Sequence, residues 1–402
     1  MAKNVQIAEV KSLLRPSKVY VPLASTNSKY YDLFVEVGDL VLVGEKIAER
    51  YGKQRTPIFS SVSGKVAGIE SMEYYSGILV DHMVIENDRK ENAVEGKPLV
   101  GIETAKNIQR KIEEMGVRGL DQSGLYTRFD FTRTIKHVIV NAVFQNQAFL
   151  SVENDLFFDE IDEVIEGMQL LKKAALSQIT ILIDHDLHTK RFTEAGFDVV
   201  KVKAKVNTAW HYNAIKKVTK KEVPYNLMDA QILFTPIHSC KAIYDAVKLG
   251  KPVTHARMVM MCADLDASTA FDVKLGTHIK DIMTDLGKEY NEASSIFTGS
   301  VLNGFTMKTN NFSVNEHISS IGVVMDEVNE SVCIKCGLCN DICPVEILPQ
   351  NIMDAEMRTI ETRLYEYSID KCIECGLCSY TCPSEINVLE WVRRAKRRVS
   401  RG

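Results

Sequence analysis

Along the first hundred residues, apolar positions come in short runs cut by turn residues. In YYDLFVEVGDLVLVGEKIAE (30–49), Phe34, Val35 and Val37 lie ahead of turns at Gly38-Asp39 and Gly44. PIFSSVSGKVAGIE (57–70) adds a short strand, a Ser63-Gly64 turn and a further strand. Short β segments between glycine turns predict a small β-sandwich. The pattern then changes. Ile108, Ile112 and Met115 mark a helix over 106–116, and HVIVNAVF (137–144) reads as a strand. FFDEIDEVIEGMQLLKKAAL (157–176) is a long amphipathic helix. QITILID (178–184), FDVVKVK (197–203) and AQILFTP (230–236) are buried strands, and SCKAIYDAVKLGK (239–251) is a helix ending at Gly250. This alternation predicts an α/β layer with a largely parallel sheet. VKLGTHIKDIMTDLG (273–287) reads as strand, glycine turn and helix, a small β-grasp-type module, and FTGSVLNGF (297–305) follows as a glycine-containing loop.

Further on, Ile352, Met353, Met357, Ile360 and Leu364 recur at helical spacing with charges on the other face. They predict one helix. SEINVLEWVRRAKRRVSRG reads as a last helix, and Arg393, Arg394, Lys396, Arg397, Arg398 and Arg401 form the densest positive stretch. Its charges suit a solvated helix C-terminus. The alternative is docking to an acidic partner or an anionic lipid surface.

Two near-copies flank the predicted helix, CIKCGLCNDICP (333–344) and CIECGLCSYTCP (372–383). Three thiolates two residues apart can wrap one face of a cubane cluster. A fourth, followed by proline, ligates the other cluster in two-cluster ferredoxins. One cluster is therefore assigned to Cys333, Cys336, Cys339 and Cys382, the other to Cys372, Cys375, Cys378 and Cys343. Gly337 and Gly376 leave room for backbone beside the inorganic core. Two zinc sites would use pairs of Cys-x2-Cys and need neither the third close cysteine nor the trailing Cys-Pro. Cys240 and Cys262 are the only cysteines outside the runs. Cys240 lies near His238 and is read as a buried thiol; His185 and His188 are read as loop residues.

The chain has 402 residues, ten cysteines and a formal net charge of −4. Eight cysteines clustered in so long a chain argue for metal binding in a reducing compartment rather than a disulfide scaffold. The net negative charge argues against nucleic acid as a partner. The N-terminus lacks the uninterrupted apolar core of a signal peptide, and no uncharged run approaches the ~20 residues of a membrane span. The expectation is a cytoplasmic chain, reaching a membrane only peripherally, through partner subunits.

The pattern V-x-V-G-D-x-V-x-x-G-x-x-I at 35–47, followed by S-V-S-G-K-V, resembles the lipoyl/biotinyl barrel-sandwich hybrid. There a hairpin lysine carries the cofactor; Glu70-Ser-Met-Glu73 stands in its place, so this domain is read as a packing or interaction module. Barrel-sandwich start, α/β centre, KLGTHIKDI segment and double cysteine run, in that order, resemble the RnfC component of the Rnf ion-translocating ferredoxin:NAD oxidoreductase. The cobalamin reductase of propanediol utilisation and a proline-reductase-associated electron carrier share the layout.

The resemblance implies a central domain similar to the flavin- and NADH-binding subunit of respiratory complex I, with a loop like G-I-V-G-L-G-G-A-x-F-P-T. The matching positions run from Gly116 to Thr127. Gly119, Ser123, Gly124 and Thr127 keep the frame, but Asp121 and Gln122 replace the central glycines and Leu125-Tyr126 replaces Phe-Pro. Glycines there let backbone N–H groups approach phosphate, and a carboxylate adds bulk and repulsion. A second segment, like L-N-G-A-E-C-E-P-Y, keeps only Asn141. A degenerate flavin/NADH site at Gly119, Ser123, Gly124, Thr127 and Asn141 is therefore expected, with retained FMN or NADH disfavoured.

The expected organisation is multidomain α/β plus small β modules. A barrel-sandwich hybrid occupies 1–95 and a Rossmann-like α/β domain 96–250. A β-grasp, soluble-ligand-binding module (SLBB-like) occupies 251–310, and an α-helical domain holding two [4Fe–4S] clusters occupies 325–402. The expected function is single-electron relay between redox partners, whether ferredoxin-type, flavoprotein or Rnf-type subunits, with no catalytic residue assigned. The alternatives are an NADH- or flavin-dependent oxidoreductase using the modified loop and a non-catalytic assembly or sensor subunit.

Overall fold

The computed structural model describes the chain except residues 1–9, 26–27, 53–54, 76, 121–125, 144–159, 185, 187, 204–210, 221–230, 262–268, 288–294, 300–301, 303, 319, 325–330 and 400–402. Ser123, Gly124, Asp121, Gln122, Cys262 and His185 lie outside the described residues.

The N-terminal region folds as two antiparallel sheets. One orders Lys18–Pro22, Leu79–Asn87, Gly64–Glu73 and Leu40–Val41; the other orders Tyr31–Leu33, Lys46–Arg50 and Thr56–Phe59. Alternate residues of both (Val19, Val21, Ile47, Ile58, Val66, Ile85) fill the space between them. Gly64 opens its strand so close to the next that a Cβ would lie 1.8 Å from the Glu86 carbonyl oxygen. Residues 70–73 form no hairpin tip. They lie inside Gly64–Glu73, paired with Leu79–Asn87. Glu73 is buried. Its carboxylate accepts from Lys308 N (2.7 Å), Thr309 N (2.8 Å) and Thr309 Oγ1 (2.7 Å), tying this unit to a distant turn.

The centre is a four-stranded parallel sheet ordered Asp198–Lys201, Ile179–Ile183, His137–Asn141, Ile232–Pro236. Helices Ala105–Glu114, Ile161–Ala175 and Ile237–Tyr244 cover one face through Ile108, Val164, Met168 and Ile243, packed on Val138, Val140 and Ile181. Helix His211–Thr219 brings Ala214 and Ile215 to the other face. Gly167 is required where two of these helices cross, since a Cβ would fall 1.8 Å from the Cys240 carbonyl oxygen. Cys240 is fully buried at that crossing, and burial pushes its thiol well above the ordinary range.

The third sheet is mixed, ordered Val10–Leu13, Thr269–Lys274, His255–Met261, Ser320–Val324, Ser295–Thr298, Phe305–Thr306. An antiparallel hairpin is followed by helix Ile279–Asp285, and Ser320–Val324 returns parallel to the hairpin's first strand. The sheet differs from the 251–310 limits at both ends. It recruits Val10–Leu13 beside Thr269–Lys274, and its central strand lies beyond residue 310. Helix Ile279–Asp285 is capped by His278, whose Nδ1 accepts from Lys280 N at 3.1 Å. Burial lowers the pKa of His278, which keeps that lone pair free to accept. Tyr74, Tyr75 and Val80 of the first unit share this sheet's core with Phe271 and Phe312, so the two units pack as one.

In the C-terminal region the single helix expected through Leu364 is two, Pro349–Met357 and Glu361–Glu366. Thr359 takes the left-handed conformation (φ 60°), and Ile360 N closes back onto Ala355 O at 2.9 Å. Ile352, Met353 and Leu364 are buried as expected, whereas Met357 is half exposed. Among the described residues no helix is long and apolar enough to cross a membrane.

Candidate metal centre

The two cysteine runs adopt the same local backbone. Lys335 and Glu374 have φ of 56° and 53°, and Gly337 and Gly376 have 80° and 81°. Short helices follow, Leu338–Asp341 and Leu377–Tyr380. Each left-handed residue turns the chain between cysteines, so all three thiols of a run can face one centre. Glycine at the second of these positions avoids the Cβ strain.

The fourth cysteine of each run crosses over. Cys382 lines one cavity together with Cys333, Cys336 and Cys339, flanked by Ile334, Met353, Ile386 and Val388 and open in part to solvent. Burial raises the Cys339 thiol pKa, and the neighbouring sulfurs of Cys333, Cys382 and Cys336 add to the rise. In the other group, burial pushes Cys375 up to about 12, with Cys372 and Cys343 beside it. Cys372 is pushed up to about 11, again by burial, with Cys343 contributing. Cys378 rises too, through burial and then Cys375 and Cys372. Such thiols hold their protons at neutral pH, so metal entry must displace them.

The width of the cage matters. Among the described residues no group of three His, Cys, Asp or Glu side chains closes around a single metal ion. Four sulfurs on one zinc, at about 2.3 Å each, would lie only about 3.8 Å apart. Three cysteines two residues apart and a trailing Cys-Pro in each run suit a polynuclear group. Backbone supports it as well, since Glu374 N donates to Cys372 Sγ at 3.4 Å.

The basic last helix, Val388–Val399, is solvated on one side, at Arg394 and Arg397, and packed on the other; Arg401 lies outside the described residues. Arg393 is buried, with Nε 3.1 Å from Glu374, Nη1 donating to Gly304 O at 3.2 Å, and its guanidinium 4.2 Å over the Phe305 ring. Lys396 bonds Glu374 (2.9 Å) and the Cys372 carbonyl (2.9 Å). Arg398 forks onto Glu356 at 2.9 and 2.8 Å, and Arg397 pairs with Glu390 at 2.7 Å. Periodicity could not find these partners, because Glu374 and Phe305 come from other elements.

At the central sheet, the expected loop lies between two paired strands, Arg118–Leu120 and Tyr126–Arg128, with Thr127 opposite Gly119. A Cβ on Gly119 would meet the Phe129 ring at 3.0 Å, so packing alone accounts for that glycine. Asn141 is buried at the end of its strand, beside Pro236, and its Oδ1 accepts from Val143 N at 3.2 Å. That strand end is where the sheet order reverses, the customary ligand position in such sheets. Arg118 is drawn away into an ion pair with Glu316, which also lies 3.7 Å from Arg50. Burial opposes ionisation of Glu316, but Arg118, His317 and Arg50 outweigh it and hold its carboxyl well below the usual range. Sequence reading missed this junction of three units.

Comparison with known proteins fits the two ends of the chain. Residues 2–90 match the RnfC barrel sandwich hybrid domain, and residues 326–386 match a 4Fe-4S dicluster domain. The RnfC-type component of an ion-translocating oxidoreductase complex from Serratia proteamaculans is 24% identical over 84% of this chain and 51% of its own length. The corresponding component of a Na(+)-translocating ferredoxin:NAD(+) oxidoreductase complex from Acetobacterium woodii is 23% identical over 86% of this chain and 83% of its own. Over most of its length the chain is thus similar to RnfC-type components of such complexes. It has an RnfC-type barrel-sandwich start and a ferredoxin-type 4Fe-4S dicluster end. It spans about half the length of some curated relatives, such as the Serratia protein, and most of others. An NAD+-reducing [NiFe]-hydrogenase structure covers 73% of this chain and 60% of its own at 10% identity, with a TM-score of 0.44, too low to carry any statement about the central domain.

Proposed function

We propose that the chain is an electron-relay subunit of an Rnf-like reductase system and holds two [4Fe–4S] clusters. Cys333, Cys336, Cys339 and Cys382 hold one; Cys372, Cys375, Cys378 and Cys343 hold the other. The observation that carries this reading is the crossing of the chain, in which Cys382 of the second run shares a cavity with three cysteines of the first. A bound [4Fe–4S] cluster exchanges one electron at a time. The chain's own part is to supply thiolates, bury them, offer backbone N–H groups such as Glu374 N to sulfur, and set nearby charge through Glu374, Arg393 and Lys396.

Electrons come from and go to other redox proteins rather than a nucleotide bound here. Three features support this: Gly119 is explained by Phe129, the Asn141 side chain accepts from its own strand end, and Asp121-Gln122 replace glycines. The partners are Rnf-type or related redox subunits, and any membrane association is peripheral, through them. The third sheet is read as the β-grasp module.

Anaerobically purified protein should contain about eight irons per chain and give two cluster signals by electron paramagnetic resonance after dithionite. Cys382→Ala should remove the cluster shared with Cys333, and Cys343→Ala the one shared with Cys372. Loss of the cluster of the mutated residue's own run would overturn the crossed assignment. Prompt bleaching by NADH alone would overturn the pure-relay reading.

A further inference from the structure

The two runs are nearly identical in sequence, yet their surroundings are opposite. Gly376 is buried against the third sheet, where a Cβ would lie 1.7 Å from the Leu302 carbonyl oxygen; Gly337 has nothing within 4 Å. Cys375 is 8% exposed, whereas its counterpart Cys336 is exposed. Glu374 is clasped by Arg393 and Lys396, and Arg393 is itself anchored on Gly304 and Phe305. Lys335, at the equivalent place, is exposed. Around it Val332, Ile334 and Leu338 are 87%, 67% and 45% exposed. Ile334 also lines the cavity that the first-run cysteines share.

We propose that this rim of Val332, Ile334 and Leu338 around Lys335 is the docking face for an acidic one-electron carrier protein, and that the second run is closed to partners by the chain's own Leu302, Phe305 and Arg393. The inference rests on the iron–sulfur reading above and adds the direction in which the relay faces outward. Three considerations fix the occupant. Ile334 of the rim lines the cysteine cage, and Val332 and Leu338 flank it in the chain, so what lands there must exchange electrons with what the cage holds. Electron exchange falls off steeply with distance, so the carrier must bring its own redox group to its surface. Lys335 is the only charge within 332–338, central to an otherwise apolar patch, and it favours an acidic rim on the carrier; Asp341 and Glu346 follow beyond the next short helix. Exposed apolar side chains grouped about a functional opening are the usual mark of such a surface.

The test uses the full iron-loaded chain and an acidic two-[4Fe–4S] ferredoxin as probe. Iron content and resonance signals are measured first, and a wild-type chain without iron defeats the underlying reading, not this one. Binding of the ferredoxin is then measured by calorimetry, and the accessibility of each cage by the rate of iron release to a bulky chelator. Val332→Glu with Leu338→Glu should weaken binding at least tenfold with iron content unchanged. Val332→Gln alone provides a milder form should the double variant lose iron. Lys335→Glu should weaken binding most at low salt, and Tyr365→Glu, an exposed apolar position between the runs, should leave it unchanged. Half of the iron should leave quickly and half slowly, the fast half being the one abolished by Cys336→Ser. Equal binding by all variants, equal release from both cages, or a wild type that binds neither the ferredoxin nor a flavodoxin would overturn the proposal.

Discussion

Nε of Arg393 lies 3.1 Å from Oε2 of Glu374, joining the last helix to the second cysteine run. Lys396 reaches the other carboxylate oxygen at 2.9 Å. One carboxylate thus balances two cations that the fold has pulled out of water beside Cys372. Glu374→Gln should cost about 1–3 kcal/mol, read by chemical denaturation of the iron-loaded protein. It should also raise the midpoint potential of the second-run cluster, since a negative charge beside it is lost. An unchanged potential would separate Glu374 from the tuning of that site.

A matched pair of glycine variants tests the asymmetry of the runs. Gly337 and Gly376 share φ near 80°, so alanine at either should bear about 1–2 kcal/mol of left-handed strain. Only Gly376→Ala also forces a Cβ onto the Leu302 carbonyl oxygen. It should be the markedly less stable variant by thermal unfolding, and equal losses would mean that the Leu302 contact is absent in solution.

The Glu316 junction should be sensitive to removal of its one carboxylate. Glu316→Gln leaves Arg50 and Arg118 facing each other across three units with no counter-charge. Breaking a fully buried pair in this way costs about 3–5 kcal/mol, and less for one whose carboxylate side chain is 22% exposed. Arg50 keeps its bonds to Leu23 O (3.1 Å) and Pro22 O (2.8 Å), which favours the lower end. Urea midpoints of the variant and wild type provide the measurement.

Stability should fall on the acid side in two stages. Burial holds His82 down to about 4, below its ordinary 6.5, while Nδ1 donates to Val80 O at 2.9 Å. Its Nε2 has no hydrogen-bond partner and Arg50 lies close by, so a second proton there is penalised. A folded value below the unfolded one means that this contribution is complete above pH 6.5 and lost as pH falls to about 4. The loss is on the order of 3 kcal/mol. Glu316, also depressed, adds its loss below its ordinary value of 4.5. Melting temperatures across this range should slope downward, and His82→Gln should lessen the upper stage, in which His238, also held down to about 4 by burial, takes part.

Much of this was legible along the chain. Strands 179–183 and 232–236 announce themselves as apolar runs bounded by polar residues, and the parallel sheet follows from the helices between them. Helix Ile279–Asp285 was placed by its glycine turn and its apolar spacing. Thr359, by contrast, carries no breaking signal, and the split of one helix into two depends on its left-handed turn. Strand Val10–Leu13 joins a sheet whose next strand begins more than two hundred residues later, a pairing that local pattern does not encode.

The cysteine spacing, the left-handed glycines and the helices after them are local properties, so the sequence alone determined that two similar metal-ready loops form and which residue types line them. Tertiary structure decided which loop is covered. Leu302, Gly304 and Phe305 come to rest on the second run and not the first, burying Cys375 and leaving Cys336 in reach of solvent. The same contacts turn a basic helix into a clasp on Glu374. Burial depends on which distant surface packs against a loop, and two loops of nearly the same sequence cannot specify that difference themselves.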